Sequence, residues 1–359
     1  MQDMNIRRNI ALAMLLAAGL GVQAQTEVTT FVPGSTLEGI SYFLPRTAFR
    51  VTIKADKTVT KPGDFHKYAE RYLHLNRVPT TESVRWEIKS ITLEPYGVPD
   101  KTKAYSIKLR SKTVAPLVGL SRDGLLLSIN TDADEITLPA LPQASQDPAP
   151  ADPRAYMTQE ILAAGSVAKM AELCAQEIYD IRESRNALVR GEADNTPKDG
   201  AQLQLMLSQL AQQDQALTSL FAGTTHTTPE VFSMTYDPTQ ETARDILFRF
   251  SHKLGVLGQD DLAGDPIYIS VKRTETLPAT VVDEQVAKKK AKMEKGVYYN
   301  VPARAKLRVF DADKEYCTLE TPMGQFGSVE ILSNLLFDKK TNTKLTFLQN
   351  TGGTKDVME

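Results

Sequence analysis

The chain has 359 residues, with 42 lysines and arginines against 44 aspartates and glutamates, so its formal net charge is −2. A charge this close to zero does not by itself imply a polyanionic partner, and the two cysteines form no CxxC pair of the metal-binding type. The length suffices for two or three domains that each bury a core.

The N-terminal segment, residues 1–24, has the order of a secretory signal peptide. Arg7 and Arg8 precede the apolar run 10–22, and the small-residue site Val22-Gln23-Ala24 precedes Gln25. The apolar run is too short for a comfortable membrane span, and no other stretch approaches one. The sequence therefore predicts cleavage after Ala24 and an exported chain without a transmembrane span, in the periplasm, associated with the outer membrane, or outside the cell.

Residues 25–131 are predicted to form an N-terminal β-rich domain. Phe49, Val51 and Ile53 alternate with polar residues, which is the pattern of a strand with one buried face. A change of phase predicts a bulge near Lys89-Ser90. Turn residues predict breaks at 95–100 and 121–124. A helical stripe over 64–75 predicts one short helix packed on this sheet.

A linker rich in proline and alanine, residues 132–152, marks a domain boundary. Residues 153–222 then predict an antiparallel helical hairpin. Asp152 can cap the first arm with Pro153 at its first position, and Gly191 can follow its end. The first arm can run unbroken to Arg190, with Gly165 as the point where a break is expected. The apolar stripe of the second arm comprises Leu203, Met206, Leu207, Leu210, Leu217, Leu220 and Phe221.

Residues 226–351 are predicted to form a C-terminal β-rich domain, and residues 352–359 a flexible tail. The segments 39–48 and 296–305 share Gly, Tyr, Pro and Ala at equal spacing. This echo has two readings of equal weight. Either a β unit was duplicated, or a simple pattern of strand, proline and strand arose by chance.

Several motifs resemble those of a known family. They are Tyr42-Phe43-Leu44-Pro45, the run 95–100 (Pro-Tyr-Gly-Val-Pro-Asp), the run 175–185, and Gln325-Phe326-Gly327. The most specific piece is Ile-Tyr-Asp-Ile-Arg-Glu-Ser-Arg at 178–185. Together the motifs resemble an uncharacterised family of exported Bacteroidota proteins, domain of unknown function 4831. The resemblance implies export and a shared architecture, and it assigns no catalytic residue.

A metal site is one alternative for His66, Glu70 and His74, which lie four residues apart on the predicted short helix. Along a straight helix these three side chains span about 12 Å, so they cannot all reach one ion. Lys67 and Arg71 beside them would also oppose a cation. We therefore expect the stripe to face solvent, and we expect no metal and no cofactor.

Two charged groups are candidate contact sites. Arg182, Glu183 and Arg185 lie where the apolar band of the first arm thins, so they could bind a partner or form an ion network within the hairpin. Lys288, Lys289, Lys290 and Lys292 crowd a predicted helix ending at Lys295 and could contact a polyanion. The same lysines also suit a solvated helix, because cations near a helix C-terminus complement its dipole.

The sequence as a whole predicts an α+β protein with two β-rich units joined by a long antiparallel helical hairpin, and duplication of the β unit is one of the two readings of the echo. It shows no nucleophile elbow, phosphate loop or dinucleotide fingerprint. We expect an exported, non-enzymatic interaction or structural protein of the cell envelope, whose partner is a protein or another envelope component and not a nucleic acid. The alternatives are an envelope enzyme with an unrecognised site and a polyanion or envelope-surface binder that uses Lys288–Lys295. Cys174 and Cys317 are expected to be unbridged.

Overall fold

The computed structural model describes residues 27–30, 39–108, 118–141, 152–194, 199–275, 296–333 and 343–358. Within these ranges the molecule is β-rich, with three antiparallel sheets and few helices. The strands are β1 Glu27–Thr30, β2 Ile40–Lys61, β3 Ser83–Lys108, β4 Val118–Leu120, β5 Leu126–Ile129, β6 Thr224–Tyr236, β7 Thr242–Ser251, β8 Gly255–Leu257, β9 Asp265–Arg273, β10 Gly296–Phe310, β11 Glu315–Ser333, β12 Lys344–Phe347 and β13 Thr354–Met358. The α-helices are α1 Ala69–Leu73, α2 Gln159–Leu162, α3 Val167–Arg190 and α4 Gly200–Ala222, and 3₁₀ turns cover His66–Tyr68 and Pro153–Tyr156.

The three sheets do not follow the division predicted at residues 131 and 226. Sheet I has the order β1-β3-β2-β6, sheet II β11-β10-β9-β7-β8, and sheet III β13-β12-β5-β4. Strand β6, which follows the helices, pairs with β2, and β12 pairs with β5. Strand pairing therefore crosses both predicted domain boundaries. Periodicity reveals that a strand exists, but it does not reveal which distant strand pairs with it.

The largest core lies between sheets I and II. Phe49, Val51 and Ile53 on the inner face of β2 are fully buried in the same cluster as Phe248 of β7 and Leu307 of β10. Their alternation with polar neighbours is the predicted half-buried strand pattern. Burying a side chain of this size stabilises the fold by about 1.5–3 kcal/mol. The two sheets thus form the body of the molecule.

A second core joins sheet III to one end of sheet I. Its members are Tyr42, Leu44, Tyr105, Ile107, Leu126, Ile129, Val297, Leu345 and Phe347. The tail contributes to this region, since β13 pairs with β12 from Lys344–Met358 to Phe347–Thr354. The turn before β13 is closed by the Gly352 N–H, which donates to the Leu348 carbonyl at 2.6 Å. The predicted flexible tail is therefore a strand up to Met358.

A third core is built from helices. Its members are Phe65, Ala69, Leu73, Ile161, Ala171, Cys174, Ala175, Ile178, Ile181, Leu217, Leu220 and Phe221. The short helix predicted over 64–75 packs here and not on a sheet, and the Phe65 N–H donates to the Leu220 carbonyl at 2.7 Å. It is also shorter than expected, because a 3₁₀ turn precedes the five residues of α1 and His74 ends them at φ 55°.

The first helical arm is divided into three pieces. Asp152 caps the 3₁₀ turn by accepting from the Arg154 N–H, with Pro153 at the first position as predicted. The chain then leaves helical geometry between Leu162 and Val167, a stretch that includes Gly165. Gly191 ends α3 with φ 72°, which confirms its predicted left-handed role. The unbroken helix from 153 to 190 is thus replaced by α2 and α3.

Strand β3 runs through the stretch that was predicted to turn. Residues 95–99 pair with Pro45–Phe49 of β2. Among the described residues, β1 pairs only with residues 105–108 of β3, so no described strand pairs with that edge of β3 at Pro95 or Pro99, and prolines are tolerated at such an edge. The predicted bulge is confirmed, since the register shifts between the pairs Lys54–Ser90 and Ala55–Ile88.

The hairpins β2–β3 and β10–β11 carry the same irregularity. Residue 44 of β2 lies opposite residues 100–103 of β3, between the pairs Phe43–Ala104 and Pro45–Pro99. Residue 302 of β10 lies opposite residues 324–327 of β11, between Val301–Ser328 and Ala303–Met323. The two strands that carry the sequence echo, β2 and β10, therefore share this irregularity. In each of them one residue lies opposite four residues of the partner strand.

Candidate interaction surfaces

Arg182 joins α3 to α4. Its guanidinium donates to the Asp214 carboxylate at 3.0 Å and to the Thr218 hydroxyl at 3.1 Å. The Thr218 hydroxyl in turn donates to Asp214 at 3.0 Å. Arg182 therefore takes part in the ion network within the helices that the sequence left as one of two alternatives, and its charge is engaged inside the fold.

Tyr179 makes a second connection from the same stretch of α3. Its hydroxyl donates to the Tyr72 carbonyl at 2.9 Å, just before the end of α1. The segment that most resembles the known family thus holds the helical core together through both Tyr179 and Arg182. Glu183 and Arg185 are exposed. Of the three predicted contact residues, these two remain available to a partner.

The outer helix segments are defined as residues 183–190 of α3 and 200–213 of α4. In α4 the buried residues are Leu217, Leu220 and Phe221, all beyond this segment. Leu203, Leu207 and Leu210 of the predicted stripe are only half-buried, and Met206 is exposed. The apolar stripe is therefore fully buried at its C-terminal end alone. The side chains in the outer half of α4 are less buried than the stripe predicted.

Apolar side chains are exposed on both outer helix segments. Val189 of α3 is 67% exposed and Leu205 of α4 is 60% exposed. With about 100° per residue, Leu205 lies on the side of α4 opposite Leu203 and Leu207. Residues 200–213 contain no charged side chain. Exposed apolar groups on an uncharged helix segment are compatible with a contact surface.

The predicted stripe His66, Glu70 and His74 is not a straight helical face. The ring Nδ1 of His66 lies 2.8 Å from the Gly63 carbonyl, and His74 is the left-handed residue that ends α1. Glu70 and His74 are exposed. Among the described residues, no group of three or more His, Cys, Asp or Glu side chains is placed to hold a metal ion.

The signal-peptide segment and residues 142–151 of the linker lie outside the described residues, as do Lys288, Lys289, Lys290 and Lys292. The two cysteines lie in different parts of the structure. Cys174 is buried in the helical core, whereas Cys317 is half-buried against the core between sheets I and II.

A buried polar junction, which sequence reasoning missed, connects sheets I and II. The Gln325 side chain pairs with the backbone of Thr47 as a strand would, accepting from its N–H at 2.9 Å and donating to its carbonyl at 2.9 Å. The Asn300 amide donates to the Pro45 and Thr351 carbonyls at 2.9 and 2.8 Å. Pro45 and Gln325 both belong to the motifs that resemble the family. Their place in those motifs is the sequence signal that could have pointed to the junction. The junction fixes the two sheets and the turn before β13 to one another.

The family model described as "Domain of unknown function (DUF4831)" matches residues 38–355. The chain belongs to this family. The DUF4831 match includes the strands from β2 to β12, the start of β13, the helical core and both outer helix segments. No curated protein and no solved structure matches the chain. No helix in the described part of the chain is long and apolar enough to span a membrane.

Proposed function

We propose that this protein is an exported, non-enzymatic interaction or structural component of the bacterial cell envelope and that it binds its partner through the outer helix segments. One observation carries the proposal. Leu205 is 60% exposed on a helix segment without charges, beyond the point where the core under α4 ends. Leaving such a side chain in water forgoes the free energy that its burial would contribute.

The arrangement of α3 and α4 supports a role in binding. The inner halves of the two helices are held together by the packing of Leu217 and Phe221 in the helical core and by the Arg182–Asp214 ion pair. The outer halves therefore extend from a well-packed part of the protein. A rigid base lowers the entropy that is lost when a partner binds. Glu183 and Arg185 flank the apolar residues of α3 and supply a polar rim.

The architectural part of the proposal is that α3 and α4 form an antiparallel hairpin that joins two duplicated β units. The matching irregularities of β2–β3 and β10–β11 support the duplication. In such a protein, the β units would form the body and the hairpin would present the contact surface.

Capture from an envelope extract tests the binding role. The purified chain and two variants, Leu205→Glu and Leu262→Glu, serve as baits. Leu262 is a matched control because it is 82% exposed and lies before β9, away from the helices. We expect Leu205→Glu to lose a component that the unaltered chain and Leu262→Glu both retain. Identical capture by all three baits would contradict the proposal.

Export and an origin in Bacteroidota belong to the proposal as well. They rest on the signal-peptide order of residues 1–24 and on the family resemblance. Sequencing of the mature N-terminus is expected to begin at Gln25. Recovery of the full-length chain in the cytoplasm would refute export while leaving the binding role open to the capture test.

A further inference from the structure

The outward face of sheet II carries an excess of positive charge. On β9 and β10 the buried residues Val271, Leu307 and Val309 alternate with outward-facing Lys272, Lys306, Arg308 and Arg304. Acidic residues on or beside this face are Glu275, Glu315 and Glu320, and Glu241 pairs with Arg273 at the end of β9. The chain as a whole is slightly acidic. Cations outnumber carboxylates on this face, in contrast to the whole chain.

Lys272 and Lys306 form a like-charge pair. They are direct partners in the β9–β10 register. Like charges placed directly opposite each other on neighbouring strands destabilise a sheet. Glu320 lies opposite Lys306 on β11, but within the described part of the chain neither lysine has a carboxylate within ion-pair distance. Glu241 and Glu315 attract Lys272 and Lys306 at longer range, and each lysine helps to lower the pKa of its carboxyl group. An anion between the two lysines would relieve the repulsion that remains.

A row of cations and aromatic rings lies on the same face, four residues along β9 and β10 from the lysine pair. The guanidinium carbon of Arg244 is 3.9 Å from the centre of the Tyr268 ring, and the centres of the Tyr268 and Phe310 rings are 5.8 Å apart. Arg308 lies 5.7 Å from the Phe310 ring and donates to Glu315 at 2.7 Å. The row crosses β7, β9 and β10, so the cations face an extended surface and not a pocket.

We propose that this face binds an acidic polysaccharide, with Lys272 and Lys306 pairing with its carboxylates. Neighbouring strands lie about 4.8 Å apart, so the two ammonium groups can contact one carboxylate or adjacent ones along an extended chain. The rim of the sugar rings would lie against Tyr268 and Phe310. A single-stranded nucleic acid fits less well, because Arg244 already covers a face of Tyr268 that base stacking requires.

Affinity electrophoresis tests the proposal with polygalacturonate as the carboxylated probe and dextran as the neutral one. We expect polygalacturonate to retard the full chain at low ionic strength, and dextran to leave its mobility unchanged. Lys272→Gln with Lys306→Gln is expected to bind polygalacturonate about tenfold more weakly. Its melting temperature should be equal or higher, because the change removes a repulsion.

The matched control is Lys67→Gln with Lys355→Gln, which changes the net charge equally at two exposed lysines that do not belong to sheet II. We expect it to bind polygalacturonate within about twofold of the unaltered chain. Three outcomes would overturn the proposal: no retardation by polygalacturonate, an equal loss in the control, or tighter binding to an oligothymidylate strand. None of them bears on the outer helix segments, so the proposed function is tested separately.

Discussion

At the residue scale, Arg182 and Arg185 illustrate how similar charges take different roles. Arg182 bridges Asp214 and Thr218 across two helices, whereas Arg185 is exposed one turn further along α3. The sequence could group them as possible contact residues, but it could not separate them. The separation depends on Asp214, which is 32 positions away in the chain.

We therefore predict different costs for the two alanine variants. Arg182→Ala should lower the free energy of unfolding by about 1–2 kcal/mol, because it leaves the Asp214 carboxylate without its charged partner. Arg185→Ala should change it by less than about 0.5 kcal/mol. Urea denaturation of both variants provides the comparison. Equal values would show that the Arg182 bridge contributes nothing to stability.

The Cys174 thiol offers a second test at this scale. Burial in the helical core raises its pKa to about 12, and the nearby Glu177 adds to the rise. Since the thiolate is the reactive form, labelling should stay slow in the native Cys317→Ser variant from pH 7 to pH 9. Stability linked to this thiol is present below its ordinary pKa and declines as the pH rises toward 12.

Denatured protein without reductant should yield both thiols of the unaltered chain. A count of zero would establish a disulfide between Cys174 and Cys317, and it would contradict their placement in different cores.

At the scale of elements, α4 divides into an inner part that supports the core and an outer part that does not. Leu217→Ala should destabilise the protein by about 2–5 kcal/mol, because it opens a cavity in the helical core. Leu210→Ala should cost less than Leu217→Ala, since Leu210 is only half-buried. Leu205→Ala should cost less than about 0.5 kcal/mol. Thermal unfolding of the three variants checks this order. A Leu205→Ala variant as unstable as Leu217→Ala would show that the outer segment is packed.

The elements also show which parts of the fold can be predicted from sequence. The inner face of β2, the bulge at Lys89 and the cap at Asp152 depend on neighbouring residues, so local patterns predict them. Local patterns do not predict the path of β3 through Pro95. A proline is compatible both with a turn and with a strand edge that makes no ladder hydrogen bonds, so the residues around it do not distinguish the two. The Lys272–Lys306 pair depends on the register between distant strands, which periodicity does not encode.

At the scale of the whole molecule, Gln325 connects the two large sheets. Gln325→Ala would leave the N–H and carbonyl of Thr47 buried without this partner, so we expect a loss of about 1–3 kcal/mol. Gln212→Ala on the exposed side of α4 is the control and should change stability by less than about 0.5 kcal/mol. Chemical denaturation measures both. Indistinguishable midpoints would mean that the junction does not hold the sheets together.

The molecule as a whole combines a β body, closed by two cores and the polar junction, with a pair of helices whose outer halves extend past their own core. Binding through those outer halves is tested most directly by photo-crosslinking in the native host, with a photoreactive residue placed at Leu205 or, as a control, at Leu262. We predict a discrete adduct from position 205 that is absent at position 262, and that contains the component lost in the Leu205→Glu capture. No adduct at position 205, or the same adducts at both positions, would contradict the assignment of the outer helix segments as the binding surface.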